Sequence, residues 1–333
     1  MSNHRPTLVT GATGFVGSAV ARVLLARGHQ VRVMVRPTSD RRNLAGLDVE
    51  IVIGDLTDPA SLAGAVAGCR YLAHVAADYR IWVPDPEAML RANLDGSVAM
   101  LRAAAAAGVE RSVYCSSVAA LGLNADGTPA NETTPVQEAG LVGVYKRSKY
   151  RAEQAVLELA RQGQDIVIVN PAAPVGPRDI KPTPTGRMIL DAAAGRVPAF
   201  IDTGLNVVHV DDVAEGHALA LERGKTGEKY ILGGENLRLQ ELLTLVCEVA
   251  GKKPPRIQLP IGAVWPVAWL MEGVSRLTGK EPLVTRDHLK MARKKMFYSS
   301  VKAMRELGYA PRPARLAVQD AVAWFRGAGM LRK

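Results

Sequence analysis

The chain has 333 residues, 48% hydrophobic and 22% charged, with 31 Gly and 20 Pro. That is ordinary globular composition, which excludes a disordered, collagen-like or low-complexity protein and suits one large domain plus a smaller one. The formal net charge of +10 is unevenly placed: residues 286–333 carry twelve Lys and Arg against Asp287, Glu306 and Asp320, and the rest is nearly neutral.

A basic stretch of this kind is either a solvated face or an attraction for anionic surfaces. It holds few aromatics and no recognition motif, so nucleic acid is not expected as a partner. No run reaches about 18 apolar residues, which argues against a membrane-spanning helix. Residues 1–7 are polar and lead straight into a strand-like segment, leaving no room for a signal peptide, and a cytoplasmic protein is expected. Cys69, Cys115 and Cys247 are scattered without metal-ligand spacing, so neither disulfides nor a bound metal is expected.

In chain order, short apolar runs alternate with helical patterns. Strands are predicted at 7–10, 30–35, 49–54, 71–75, 112–115 and 166–170. Helices are predicted up to about residue 27 and at 61–67, 87–107 and 145–162. Strands separated by helices of this length imply an α/β, doubly wound parallel sheet of Rossmann type, covered on both faces. The pattern changes at Pro171. With Pro174, Pro177, Pro182, Pro184 and Pro198 it makes six prolines in 28 residues, which disfavours regular structure and leaves either a connector or a substrate-contacting loop. A helix at 186–194, a strand at 207–210, a helix at 211–222 and a strand at 230–232 follow, and the chain is mostly helical from 240. Residues 1–170, completed by part of 205–235, should form the larger domain. Residues 171–333 should form mainly a smaller helical substrate domain, with one return to the large one.

The first strand ends in Thr10-Gly11-Ala12-Thr13-Gly14-Phe15-Val16-Gly17. Gly11 allows a tight turn, Gly14 lets backbone approach a pyrophosphate, and Gly17 lets helix and strand pack closely. The helix N-terminus then offers amides to the phosphates. A carboxylate for the ribose 2′-hydroxyl is expected at the end of the second strand, but the chain has Arg36-Pro37-Thr38-Ser39, with no acid before Asp40. A guanidinium there suits a 2′-phosphate, so NADP(H) is expected over NAD(H). NAD(H) is the alternative if Arg36 is only a surface residue. Asp55, followed by Leu56, sits past the third strand, where it either accepts from an adenine amino group or caps the next turn.

The fifth strand runs into Ser116-Ser117, and Tyr145 and Lys149 lie four apart at the start of a helix, hence on one face. An ammonium beside a phenol lowers its pKa, so Tyr145 could exchange a proton with a carbonyl or alcohol oxygen. A serine hydroxyl at the strand end could hold that oxygen.

These motifs, TGATGFVG, SSVAALG and YKRSK in that order, resemble the extended short-chain dehydrogenases/reductases of the NAD-dependent epimerase/dehydratase superfamily. Within them the chain looks like the dihydroflavonol-reductase-like branch, and NPAAPVGPRDIKPTPTGR is similar to the hopanoid-associated sugar epimerases. The resemblance implies an enzyme with Ser117 holding the substrate oxygen, Ser116 supporting it, Tyr145 as acid/base and Lys149 also reaching the nicotinamide ribose. It implies that Asn93 positions the active-site helix and a water. Ala76 and Ala77 would lie against the adenosine ribose and phosphates, and Pro171, Ala172 and Ala173, on to Val175, would border the carboxamide. His209 and Asp212 would be structural. A homodimer joined through a four-helix bundle is implied as well.

The resemblance covers two chemistries. Arg36 favours a reductase acting on a sugar- or polyol-like substrate, free or lipid-linked, in hopanoid biosynthesis. The alternative is a nucleoside-diphosphate-sugar epimerase or dehydratase with tightly held NAD. A non-catalytic redox sensor is disfavoured because Ser117, Tyr145 and Lys149 are all present. Residues 257–271, IQLPIGAVWPVAWLM, carry no charge. Trp265 and Trp269 share a helical face, and Pro266 is expected to break the helix. The segment is either a buried element or a lipid-accepting one beside the basic region, giving peripheral contact with an anionic membrane.

Overall fold

The computed structural model describes residues 5–78, 85–278 and 286–331. Residues 1–4 of the polar N-terminus and Arg332 and Lys333 of the basic stretch lie outside the described residues, as do residues 279–285. Seven strands form the main sheet: β1 (Thr7–Thr10), β2 (Val31–Val35), β3 (Glu50–Ile53), β4 (Tyr71–His74), β5 (Arg111–Cys115), β6 (Ile166–Pro171) and β10 (Lys229–Leu232). Their spatial order is β10-β6-β5-β4-β1-β2-β3, every pair parallel. The order reverses between β1 and β4, and in such sheets ligands bind outside the carboxyl ends of the strands at this point.

Except for the exposed edge strand β3, the strands are buried on both sides because helices cover both. Val9, Val33, Val113 and Val167 face α1 (Phe15–Ala26) and α6 (Val210–Arg223). Leu8, Leu72, Tyr114 and Ile168 face α2 (Pro59–Val66), α3 (Pro86–Ala106) and α4 (Val144–Arg161). Helix starts follow capping chemistry: Asp58 and Asp85 each accept from backbone amides of the first turn, with Pro59 and Pro86 next in the chain, where a missing N–H costs nothing.

The smaller lobe is built on β9 (Gly204–His209), which pairs with β7 (Ala173–Val175), β11 (Glu235–Arg238) and β13 (Lys295–Met296). Helices α5 (Pro184–Ala193), α7 (Leu239–Ala250) and α11 (Ala314–Gly327) bury Ile189, Val246, Val322 and Phe325 against it. A further pair, β8 (Ala199–Phe200) with β12 (Ile257–Gln258), leads into α8 (Ile261–Thr278), which is followed by α9 (Arg286–Ala292) and α10 (Val301–Leu307).

Three expectations need correcting. The proline-rich stretch is not wholly irregular: Pro174 sits in β7, which among the described residues pairs only with β9, and an edge strand tolerates the lost donor. The chain returns to the large core twice, since Ala303 and Leu307 of α10 and Tyr309 join the same cluster as α6 and β10. Helix α8 runs through Pro266; the proline falls in its second turn, where only one intrahelical bond is lost.

Candidate active site

Gly11 turns at φ +71°, and a Cβ there would meet the Ala76 backbone at 2.8 Å. A Cβ on Gly17 would come within 2.2 Å of the Gly11 carbonyl. The glycines therefore let α1 seat directly on the β1–α1 turn and against the residue after β4. Gly14 caps α1 without any side-chain acceptor, and no acid occupies the first turn, so the amides around Thr13, Gly14, Phe15 and Val16 suit a pyrophosphate. Thr10 Oγ1 takes the amides of Val75 and Ala76 at 3.1 Å each, which fixes the Ala76-Ala77 turn beside the glycines.

Arg36 follows β2 and is exposed. Its amide donates to Ser39 Oγ at 3.1 Å, and among the described residues its guanidinium has no hydrogen bond or ion pair. The nearest following acid, Asp40, is bound by the Arg42 side chain at 2.6–3.1 Å, which pulls its pKa down to about 2. Asp55 Oδ1 accepts from the Thr57 amide and hydroxyl at 2.9 and 2.8 Å, so this oxygen caps a turn. Leu56 packs against Gly96 of α3, where a Cβ would be 2.9 Å away.

Tyr145 opens α4 with its phenol close enough to the Ser117 hydroxyl for that group to favour the phenolate. Burial pushes its pKa above the ordinary phenol value, while Lys149 and the Ser117 bond pull it down. The expected downward pull is therefore present, and burial outweighs it. Lys149 is buried; its Nζ donates to the Cys115 carbonyl at 2.8 Å and stands 5.1 Å from the Tyr114 ring centroid. The two serines separate cleanly. Ser117 Oγ caps the turn that follows β5 and accepts the Ala119 amide at 3.1 Å. Ser116 is buried and donates to Glu153 Oε2 at 2.6 Å.

Asn93 is saturated by positioning contacts. Its Nδ2 donates to the Asp78 carbonyl at 2.8 Å and Ser148 Oγ at 3.0 Å, its Oδ1 accepts the Asp78 amide at 2.7 Å, and Ser148 Oγ in turn donates to the Tyr145 carbonyl at 2.9 Å. It ties the loop after β4 to the first turn of α4. His209 takes the Asp211 amide on Nδ1 and lies 3.0 Å from Asp320 through Nε2. Asp212 is held by Arg312 at 2.7 Å. Both stitch α6 to the C-terminal segment, as structural residues would.

Glu153 and Asn170 were not singled out from sequence. Glu153 is fully buried one turn past Lys149 and accepts from Ser116 Oγ and from Asn170 Nδ2, both at 2.6 Å. Asn170 Nδ2 also reaches the Ser117 carbonyl at 3.0 Å, and Lys229 Nζ stands 3.6 Å from Glu153 Oε1. The signal was available in the spacing: Tyr145, Lys149 and Glu153 repeat every four residues on one helical face. Asn43 was missed too; its side chain reaches the carbonyls of Thr13, Gly14 and Arg178 at 3.2–3.4 Å and braces the glycine turn. Among the described residues no cluster of His, Cys, Asp or Glu could hold a metal.

Residues 7–233 match the NAD dependent epimerase/dehydratase family. The chain belongs to it. It is an oxidoreductase of the extended short-chain dehydrogenase/reductase type. A relative in Synechocystis sp., a putative dihydroflavonol 4-reductase, is 46% identical over 97% of this chain and 95% of its own length. Sterol demethylase protein B of Methylococcus capsulatus is 37% identical over 98% and 99%. The crystal structure of gox2253 is 62% identical, covers 98% of this chain and 99% of its own, and superposes with a TM-score of 0.89. For this family the structure brings Ser117, Tyr145 and Lys149 to the carboxyl end of β5, with Asn93 one layer behind. The glycine turn, Ala76 and Arg36 lie at the carboxyl ends of β1, β4 and β2.

Proposed function

We propose that this protein is an NADPH-dependent reductase that converts a ketone to an alcohol on an apolar, sugar- or polyol-bearing molecule, with hopanoid-type lipids as the substrate class. A bound nicotinamide supplies the hydride in this family's chemistry. Tyr145 gives its proton to the substrate oxygen, and Ser117 Oγ holds that oxygen in place. Lys149 keeps two of its three hydrogens free of the Cys115 carbonyl, for a ribose, and its charge stabilises the phenolate left behind. Burial keeps the Tyr145 phenol in its acid form, the form that donates to a substrate oxygen.

The observation that carries the choice of cofactor and direction is the guanidinium of Arg36 at the end of β2, which has no hydrogen bond or ion pair among the described residues, beside an Asp40 already bound by Arg42. A 2′-phosphate offers it bidentate, charge-assisted bonds. The relatives named as a putative dihydroflavonol 4-reductase and as sterol demethylase protein B support a reductase of ring-bearing molecules, sterol-like lipids among them. A homodimer that pairs α3 and α4 with their copies is part of the proposal. Dissociation constants for NADPH and NADH, measured by fluorescence titration, test it, and at least tenfold tighter NADPH binding is expected. Purified protein that retains NAD and epimerises a nucleotide sugar without added cofactor would overturn the reading.

A further inference from the structure

Helix α8 is apolar on its outward face as well as its inward one. Among the described residues of the helix, those it turns outward are Gly262, Ala263, Pro266, Trp269, Leu270 and Gly273, all uncharged, and Trp269 and Leu270 are 62% and 70% exposed. Ile257, just before it in β12, is 59% exposed. The expectation of a buried element therefore fails for this face. A soluble surface rarely leaves such a contiguous apolar strip without a use.

Its surroundings are cationic. Residues 252–275 and 286–295 hold eight Lys and Arg against two acids. Arg286 stacks over Trp269 at 4.6 Å while bound to Glu272 at 2.7 Å, and Arg293 lies 5.7 Å from the Trp265 ring centre. Among the described residues Arg293 has no acidic partner, and Lys253, Arg256, Lys290 and Lys294 are exposed. An apolar face carrying Trp269 and Leu270, with Arg286 and Arg293 against its tryptophans, matches the interface of an anionic bilayer. No helix among the described residues is long and apolar enough to cross a membrane.

The same segment borders the active site. The Asp287 carboxylate is 3.9 Å from where a Cβ on Gly143 would lie, at the cap of α4. Lys294 is close enough to Lys146, the neighbour of Tyr145, to add to the effect of burial on it. Tyr298, past β13, donates to the carbonyl of Val118, next to Ser117, at 3.1 Å. We propose that the outward face of α8, with the Arg and Lys of α9 and residues 293–294, docks the mouth of the active site onto an anionic phospholipid surface, so that an amphiphilic substrate passes from the lipid to Tyr145. The docking stands on the surface alone; only the passage of substrate rests on the reductase reading.

The test is flotation with vesicles, with neither substrate nor cofactor present. Vesicles of phosphatidylglycerol and phosphatidylcholine should carry the protein up at low salt, with a blue shift of tryptophan emission. Pure phosphatidylcholine should carry it at least about tenfold less, and about 0.5 M salt should release most of it. The double change Trp269→Glu and Leu270→Glu should abolish binding at unchanged melting temperature. Lys290→Glu with Arg293→Glu should remove the preference for anionic lipid through substitutions of a different kind. Absence of binding to anionic vesicles, or binding insensitive to both pairs, overturns the proposal. So does a dimer that the Trp269 and Leu270 changes dissociate, because a second copy would then cover the face. Failure of ketone reduction with intact flotation would remove the reductase reading and leave the docking standing.

Discussion

A phenol that must release a proton in the transition state needs its acid form in the ground state and help for its anion afterwards. Tyr145 has both: burial holds the proton on, while Lys149 and Ser117 favour the phenolate. Tyr145→Phe removes the proton and little volume, so turnover should fall by about 10²- to 10⁴-fold, the usual worth of a positioned acid. Binding of NADPH, followed by fluorescence, should stay within about twofold, because the phosphate and adenosine contacts lie on other strands. Equal losses in turnover and cofactor affinity would mean that the tyrosine is structural. At the other end of the pocket, Arg36→Ala should weaken NADPH by about 10- to 100-fold, the worth of charge-assisted hydrogen bonds, and leave NADH binding unchanged. Parallel loss of both cofactors would show that Arg36 supports the loop rather than the 2′-phosphate.

At the scale of elements, three segments converge on one carboxylate. Glu153 of α4 holds Ser116 at the end of β5 and Asn170 at the end of β6, and Asn170 passes the constraint to the Ser117 backbone. Glu153→Ala leaves two buried donors unsatisfied and the Lys229 charge without its partner, which should cost about 3 kcal/mol or more by urea unfolding. Glu153→Gln keeps the shape and one acceptor and should cost clearly less. Its turnover with NADPH should lie nearer wild type than that of the alanine variant; equal defects in the two would mean that packing volume, not hydrogen bonding, is what Glu153 supplies. The elements carrying this network were legible in sequence because hydrophobic period and turn residues agree there. The expected strands at 71–75 and 112–115 appear as 71–74 and 111–115, and the helix at 145–162 as 144–161. The links between them were not legible, since a buried acid and an asparagine gain meaning only when distant strands are adjacent. For the same reason β11 and β13 escaped notice: they are short, half-exposed and paired only with β9.

At the scale of the whole molecule, the buried titratable groups set how the fold responds to acid. His74 is wedged between Thr10 and Ser97 at 2.8 and 3.0 Å, and burial with the nearby Lys149 charge takes its pKa down to about 3. His217 donates to the Val213 carbonyl at 2.7 Å, and burial takes it to about 4. A histidine held below its unfolded pKa of 6.5 binds fewer protons folded than unfolded, so its contribution is complete above pH 6.5 and is lost as pH falls toward the folded value. Asp179 acts in the opposite sense. Burial raises it to about 6, so between pH 6 and 4 the folded state takes up the extra proton and gains stability as pH falls. The two histidine shifts together amount to about 8 kcal/mol and the aspartate to about 3, so the histidines win and the protein should be acid-labile below pH 6.5. His217→Asn removes one titrating group while keeping a donor for Val213. The free energy of urea unfolding, measured from pH 6.5 to 4, should then change by about 3 kcal/mol less than in wild type, whatever the substitution costs at pH 7. An unchanged slope would mean that His217 is reached by water in the folded state and that His74 alone sets the acid limit.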